Sequence, residues 1–268
     1  MKNILRLLLV ILAGWVVLHS HALADDQKAR EIMHKVQDRD EGDNRTAEME
    51  MVLIDKKGHE RLRKIQTFKK DKGKDTYRLM FFLHPADVKD TSFLVYDYDD
   101  PDHDDDQWLY LPALRKTKRI ASSDKSSSFM GSDLNYSDMT DLELEDYDFF
   151  LKKEMTVRGH KVWVVESIPR SKKVMDETGY TKSLLFVRQD IYYVIRAVSW
   201  VHKKSYLKYM DVKELKQIED IWVGTEMHVF KKKGKQLVHK TILRLNNVKF
   251  NQALEENMFT KRRMEAGL

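Results

Sequence analysis

The sequence predicts a mainly β protein in which an antiparallel sheet curls into a barrel or half-barrel. Three observations lead to this fold class. In many short segments apolar side chains alternate with polar ones, which is the period of a β-strand. These segments follow one another at hairpin-length gaps, as in an antiparallel meander. Helical spacing is confined to two stretches, one near the start of the chain and one near its middle.

The first element is predicted to be a helix. Ala29, Ile32, Met33 and Val36 recur at the spacing of one helix face. The run 42–44 (Gly-Asp-Asn) then ends the pattern, because glycine and asparagine are frequent just beyond helix ends.

From Thr46 onward the apolar period drops to two. Met49, Met51 and Leu53 are separated by acidic or aliphatic neighbours, and residues 56–59 form a predicted turn. Pro85 ends the strand predicted at 77–83. The further strands are predicted at 61–68, 77–83, 93–98, 107–111, 115–120, 162–168, 181–188, 192–201, 206–215, 221–230 and 237–248.

Residues 121–150 interrupt the strand pattern. The segment begins rich in serine and aspartate and continues into a predicted helix around 139–150. A loop of this length inside a compact β domain is usually functional. Disordered linkers seldom carry so many apolar residues, so a lid is favoured over a connector. The proposed lid contacts are Phe129, Met130, Leu134 and Tyr136.

Residues 1–24 have the organisation of a secretory signal peptide. Lys2 and Arg6 precede an apolar run of about a dozen residues, and Ala22 and Ala24 provide a small-x-small cleavage site. The run is shorter than the ~20 residues that a membrane-spanning helix needs. We therefore expect cleavage after Ala24, export to the periplasm, and a single domain comprising residues 25–268.

Composition excludes several classes of site. The chain has no cysteine, and therefore no disulfide, thiol nucleophile or cysteine metal site. Its formal net charge is +5, and Lys2 and Arg6 contribute two of these positive charges. The basic excess is therefore mild, and nucleic acid is not an expected partner.

An acidic run at 97–106 contains seven aspartates in ten positions (DYDDPDHDDD). A calcium-binding loop of the EF-hand type would need glycine at its sixth position and glutamate at its twelfth. Counted from Asp97, these positions hold Asp102 and Trp108. A solvated acidic hairpin tip is therefore favoured over a calcium site.

Residues 108–120 (WLYLPALRKTKRI) read as a hairpin with an apolar first arm, a corner at Pro112 and a basic second arm. The basic arm consists of Arg115, Lys116, Lys118 and Arg119. It fits anionic lipid head groups or an acidic partner, and an ordinary exposed strand face explains it equally well.

No catalytic motif is convincing. The histidines form no His-x-His or His-Glu-x-x-His pair, so no metal is expected. Ser132 follows Gly131, but the second glycine of a nucleophile elbow is missing. Neither a P-loop nor a dinucleotide fingerprint occurs. The 13 methionines instead suggest an adaptable apolar surface, and a methionine-rich core is the alternative.

The signal segment, the meander, the hairpin at 108–120 and the run at 129–134 (FMGSDL) together resemble the LolA-like outer-membrane lipoprotein-sorting family. Within it they are most similar to an uncharacterised periplasmic branch that is often encoded beside exporters of the resistance-nodulation-division (RND) type. The resemblance extends over nearly all of residues 25–268.

The resemblance implies an unclosed antiparallel β-barrel (a LolA/LolB-like half-barrel) of roughly eleven strands, covered by a helical lid. The expected function is transfer of the acyl chains of a lipid or lipoprotein toward the outer membrane, without catalysis or cofactor. Membrane contact would be transient. The arginine with which lipoprotein carriers latch their lid has no match by motif, which leaves lipid open as cargo.

Strand alternation supplies the predicted inner face of this cavity. Its residues are Met49, Met51, Leu53, Tyr77, Leu79, Phe81, Leu83, Trp108, Tyr110, Val223, Met227 and Val229. Two alternatives remain open. A docking subunit of an RND-type transporter, held through its basic arm, would have a filled core. An exported hydrolase using Ser132 would need a histidine and a carboxylate within hydrogen-bond reach.

Overall fold

The computed structural model describes residues 25–268, and its frame is one antiparallel sheet of 13 strands. The predicted mainly β, unclosed antiparallel fold is confirmed. The strands are β1 Asn44–Ile54, β2 Glu60–Lys72, β3 Asp75–His84, β4 Ser92–Asp97, β5 Asp106–Leu111, β6 Lys116–Arg119, β7 Tyr147–Val157, β8 His160–Pro169, β9 Tyr180–Arg188, β10 Val194–Val201, β11 Leu207–Ile218, β12 Ile221–Lys233 and β13 Gln236–Phe250.

The strand order places the first strand in the middle of the sheet. β1 pairs with β2 on one side and with the last strand, β13, on the other. From that centre the strands run outward to two edges, in chain order from β1 to β6 and in reverse chain order from β13 to β7. The two edges are consecutive in the chain, so residues 120–146 connect one edge of the sheet to the other.

Three α-helices accompany the sheet: α1 Gln27–Gln37, α2 Lys172–Thr178 and α3 Lys261–Ala266. The first confirms the predicted helix. The Asp26 carboxylate caps it by accepting the Ala29 N–H at 3.2 Å. Its buried residues Ala29, Ile32 and Met33 pack against Tyr147 and Phe149 of β7 and their neighbours. The other two helices are short and were not predicted.

The connection between the edge strands contains short 3₁₀ turns rather than a long helix. In place of the helix predicted around 139–150 the chain has the short turns Tyr136–Met139 and Leu144–Asp146, and β7 already begins at Tyr147. The prediction was wrong because Tyr147 and Phe149 are buried at alternate positions and pair with β8. Tertiary pairing therefore outweighed the helical spacing.

The sheet has a packed core on each face. On one face the connecting segment inserts Phe129 against Phe82 and Phe93, with ring centroids 6.2 and 5.0 Å apart. On the other face Leu79 and Phe81 pack with Met264 and their neighbours near the chain's end. We call these the lid face and the outer face. Residues 120–146 are the lid.

Candidate functional site

A cavity of about 370 Å³ lies between the lid and the lid face of the sheet. Its walls come from strands distant in the chain, because β1 pairs with β13 and β13 pairs in turn with β12. Most lining side chains are apolar. The lining consists of Arg45, Met49, Met51, Arg78, Met80, Phe129, Leu134, Asp138, Met139, Tyr180, Tyr193, Ala197, Ser199, Lys208, Met210, Val223, Gly224, Met227, Val229, Leu243 and Leu245.

Methionine dominates this lining. Met49, Met51, Met80, Met139, Met210 and Met227 all face the cavity. An unbranched thioether side chain adapts its shape to different apolar partners at low cost, which suits a surface that contacts flexible ligands. The volume lies within the range of about 300–1,000 Å³ that small-molecule pockets usually have.

Seven residues proposed from the sequence line this cavity. They are Met49, Met51, Val223, Met227 and Val229 from the sheet, with Phe129 and Leu134 from the lid. Leu53 lies on the same face of β1 but is packed under the lid in the core. Met130 and Tyr136 also pack against that core without lining the cavity.

The predicted inner face was wrong for β3 and β5. Tyr77, Leu79 and Phe81 of β3 lie on the outer face, together with Trp108 and Tyr110 of β5. There they pack against Phe259 and Met264, near the end of the chain, and the Lys261 ammonium lies 4.1 Å from the Trp108 ring centroid.

The error has a simple cause. β3 is apolar on both faces, so alternation defines two sets of residues without saying which set faces the lid. Met80 and Phe82 take the lid face, and the last predicted residue, Leu83, is 43 % exposed near the end of the strand.

Hydrogen bonds and ion pairs fasten the lid to several strands of the sheet. Arg63 of β2 donates to the Met130 carbonyl oxygen, and Gln107 of β5 donates to the Tyr136 carbonyl oxygen at 3.1 Å. The buried Asp133 carboxylate accepts from the Thr241 hydroxyl at 2.9 Å and lies 2.7 Å from His239 Nδ1. Both partners of Asp133 belong to β13.

A polar group on β9 and β11 closes one part of the cavity. The Tyr180 hydroxyl lies 2.8 Å from an Asp138 carboxylate oxygen, and the Lys208 ammonium contacts Asp138 as well. Burial and the Asp138 charge raise the pKa of Tyr180 well above its usual range. The lid is thus attached to the sheet by hydrogen bonds and ion pairs between buried or half-buried polar groups.

The cavity also contains a second polar region, formed by Arg45, Arg78 and Tyr193. Arg78 forms ion pairs with Asp97 and, at 2.7 Å, with Asp141. Arg45 interacts with neighbouring charges at longer range, and burial lowers the pKa of its guanidinium below the usual range. Neither arginine was singled out from the sequence.

A larger, polar cavity of about 520 Å³ adjoins this region. Its lining includes seven carboxylates, and its only basic members among the described residues are Arg39, Lys69 and Lys74. The Arg78–Asp141 ion pair lies at the boundary, because Arg78 lines the apolar cavity and Asp141 lines the polar one. The apolar cavity is the stronger candidate for acyl chains, since carboxylates bind water rather than hydrocarbon.

The basic arm divides into two parts. Lys118 lies 3.2 Å from the Asp124 carboxylate, and Arg119 lies 2.5 Å from Asp106. Arg115 and Lys116 are exposed and have no ion pair among residues 25–268. Arg115 lies at the hairpin tip, where its φ is 48°. Only the tip of the arm therefore presents uncompensated charge.

The acidic run also pairs with protein cations. Asp97 binds Arg78, Asp106 binds Arg119, and Asp104 lies 2.9 Å from the Lys173 ammonium. The part of the chain that the structure describes contains no group of three histidine, aspartate or glutamate side chains able to hold a metal ion.

Ser132 serves the lid turn. Its hydroxyl donates to the Phe129 carbonyl oxygen at 2.7 Å and accepts the Leu134 N–H at 3.1 Å. The nearby His239 is bonded to Asp133 rather than to Ser132. The geometry does not support a Ser132 nucleophile.

Several residues of the cavity could not be singled out from the sequence. Met80, Met139 and Met210 belong to the predicted class of adaptable apolar residues, and their spacing carries no further signal. Arg45 lies in β1, Lys208 in β11 and Tyr193 directly before β10, and no motif or spacing in the sequence marks them. Across residues 25–268 no helix has the length and apolar character needed to cross a bilayer.

Comparisons with solved structures show the same architecture elsewhere. A domain assigned as an outer membrane lipoprotein-sorting protein, from Vibrio parahaemolyticus, is 32 % identical, with a TM-score of 0.80 over 89 % of this chain and 98 % of that one. A DUF1329 family protein from Desulfovibrio piger is 28 % identical, with a TM-score of 0.82 over 90 % and 99 % of the two chains.

A more distant structure extends the fold to a wider group. A LolA superfamily protein from Nitrosomonas europaea is 17 % identical, has a TM-score of 0.66 and matches over 87 % of this chain and 98 % of that one. A family model described as an uncharacterized protein matches residues 74–266. No curated protein matches the sequence.

Proposed function

This chain belongs to the LolA-like family of outer-membrane lipoprotein-sorting proteins, and from that premise we propose that it is a periplasmic carrier of acyl chains. Its cargo would be a lipid or lipoprotein moving toward the outer membrane. The observation that carries the proposal is the methionine-lined cavity of about 370 Å³ under the lid.

The physical need for such a cavity is clear. Each methylene moved from an apolar environment into water costs about 0.8 kcal/mol, so a long acyl chain does not cross an aqueous compartment unprotected. A sheet on one side of the acyl chain and a lid on the other would shield the acyl chain from water. The polar groups that hold the lid are bonded to groups of the sheet, which leaves the methionine surface available for the cargo.

The cavity also bears on the alternative of a transporter-docking subunit without cargo. Such a subunit gains nothing from an internal void, since unfilled volume lowers the free energy of unfolding. A cavity of this size therefore favours the carrier. An inner-membrane RND-type transporter remains a proposed partner of that carrier.

Transient membrane contact would use one end of the sheet, which we call the basic rim. It comprises the β1–β2, β5–β6 and β12–β13 turns, and the exposed Lys56, Lys57, Arg115, Lys116, Lys233 and Lys235 lie there. The same end presents Leu114, which is 62 % exposed, and Leu237, which is 41 % exposed. Lysines with interspersed apolar side chains suit an anionic bilayer surface.

The experiment that tests the carrier is native mass spectrometry of protein purified without detergent, followed by extraction and identification of any lipid. Met227→Glu places a carboxylate on the cavity wall and should abolish lipid capture. Met155→Glu is the matched control, because this methionine is 37 % exposed and does not line the cavity. A wild-type protein that carries no lipid and takes up no fluorescent fatty acid would refute the proposal.

A further inference from the structure

Two hydrogen-bond donors on the wall of the apolar cavity have no acceptor within residues 25–268. The Arg45 guanidinium makes no hydrogen bond and no ion pair there. The Tyr193 hydroxyl accepts the Gly224 N–H at 3.0 Å, but its own proton is donated to no residue of that range. Arg78, in the same region, is by contrast satisfied by two carboxylates.

The surrounding structure holds both donors in place. Arg45 belongs to β1, opposite Lys69 of β2 and Phe250 of β13. The Tyr193 ring is fixed by the Gly224 hydrogen bond and by the Arg39 guanidinium, 4.4 Å from the ring centroid. Arg45 and Tyr193 line the same cavity.

The nearest counter-charge of Arg45 is already engaged. Glu41 interacts with Arg45 at long range, but its carboxylate binds Arg39 and lies 2.9 Å from the Lys69 ammonium. Arg45 is partly buried, and the same cavity wall includes Met49 and Met51. A cation that faces apolar side chains without a hydrogen-bonded partner is costly, so an anion bonded to Arg45 would stabilise it.

We propose that Arg45 and Tyr193 bind the negatively charged head group, a carboxylate or a phosphate, of an amphiphile whose acyl chain occupies the methionine-lined cavity. The guanidinium presents several N–H donors in a planar fork that matches both kinds of anion, and the phenol adds one O–H donor. The proposal rests on the carrier function and specifies the chemistry of its cargo.

The test compares ligands that share one chain and differ in head group. Hexadecanoate, hexadecyl phosphate and hexadecanol are titrated against the wild-type protein at pH 8, below their micelle concentrations, by displacement of a fluorescent fatty acid. The charged heads should bind at least about tenfold more tightly than the alcohol, since hydrogen bonds to ionised groups are the stronger ones. The two anions then distinguish a carboxylate cargo from a phosphate cargo.

Variants assign the preference to the two residues. Arg45→Gln should reduce the affinity of both anions to that of hexadecanol, and Tyr193→Phe should reduce it in part, while hexadecanol binding stays unchanged. Arg45→Lys keeps the charge and should keep part of the preference. Arg115→Gln, at the exposed hairpin tip, is the control that removes one positive charge elsewhere.

The outcomes separate this inference from the carrier function. Equal binding of alcohol and anions by the wild type overturns the head-group site and leaves the carrier intact. So does an anion preference that survives in Arg45→Gln. If none of the three ligands binds, the carrier function itself is refuted. Melting temperatures measured on every variant show that each comparison is made between folded proteins.

Discussion

Two adjacent residues of β3 provide the sharpest test of which face of the sheet binds ligand. Met80 lines the cavity, whereas Leu79 is fully buried on the outer face. Met80→Glu should therefore remove ligand binding while the protein stays folded. Leu79→Ala should lower stability while ligand binding by the folded protein is retained.

The expected magnitudes follow from the two environments. Replacement of a fully buried leucine by alanine costs about 2–5 kcal/mol, because packing contacts are lost and a void remains. For a domain of this size 1 kcal/mol corresponds to roughly 2–4 °C, so we expect the melting temperature to fall by roughly 5–15 °C. The Met80 side chain instead faces space that water can enter, and a carboxylate there keeps much of its hydration. The melting temperature of Met80→Glu should change by only a few degrees.

The assay measures melting temperature and uptake of a fluorescent fatty acid on the same preparations. Met80→Glu should bind at least about tenfold more weakly, because the acyl chain would have to pack against a carboxylate. Wild-type affinity in Met80→Glu would refute the placement of ligand against the lid face. So would a Leu79→Ala protein that is folded but has lost uptake.

Three further predictions concern two lid residues, Asp133 and Glu143, and the hairpin tip. Asp133→Ala leaves two β13 donors without their acceptor and should lower the free energy of unfolding in urea by about 1–3 kcal/mol. Burial and nearby aspartates raise the pKa of the Glu143 carboxyl group from 4.5 to about 7. The folded protein therefore holds the carboxyl proton more tightly than the unfolded chain does, and the free energy of unfolding falls as the pH rises from 4.5 to about 7. Glu143→Gln should thus stabilise the protein at pH 8, by at most about 3 kcal/mol, and leave it unchanged at pH 4; an equal effect at both pH values would contradict this reasoning. The double variant Arg115→Glu/Lys116→Glu should float less with anionic vesicles than the wild type, and the difference should be largest at low salt. Its melting temperature should be almost unchanged, because exposed charges contribute little to stability. Unaltered flotation would count against membrane contact through the basic rim.

The sequence predicted the type of most elements, because alternation and turn residues are local signals. All twelve predicted strands are present, and the first helix lies where its apolar spacing indicated. The missing strand, β7, shows the limit of such signals. It follows directly on acidic residues that looked like the exposed side of a helix, and only its pairing with β8 makes it a strand.

The candidate site was harder to predict for a different reason. Alternation divides a strand into two sets of residues, but the choice between them depends on what covers each face. On β1 the alternate residues are mostly charged, so Met49 and Met51 could be assigned to the interior. On β3 both sets are apolar, and the outer face is covered by residues near the chain's end that lie far from β3 in sequence.

Arg45 and Tyr193 illustrate a second limit. In the sequence neither residue belongs to a motif, and a single arginine or tyrosine near the start of a strand carries no signal of a binding site. Their significance comes from the fold, which brings both residues to the wall of one largely apolar cavity. An unsatisfied donor is a property of the assembled structure, and no pattern along the chain reports it.

The basic arm admits two physical explanations, and its geometry divides the residues between them. β6 is an edge strand, and charged side chains on an edge discourage pairing with other chains. Lys118 and Arg119 fit this role, since they lie within the strand and are bound to carboxylates of the same protein. Arg115 lies outside the ladder, in a left-handed turn beside the exposed Leu114. Protection of an edge does not explain an unpaired cation beside an exposed leucine, whereas contact with an anionic membrane surface explains both.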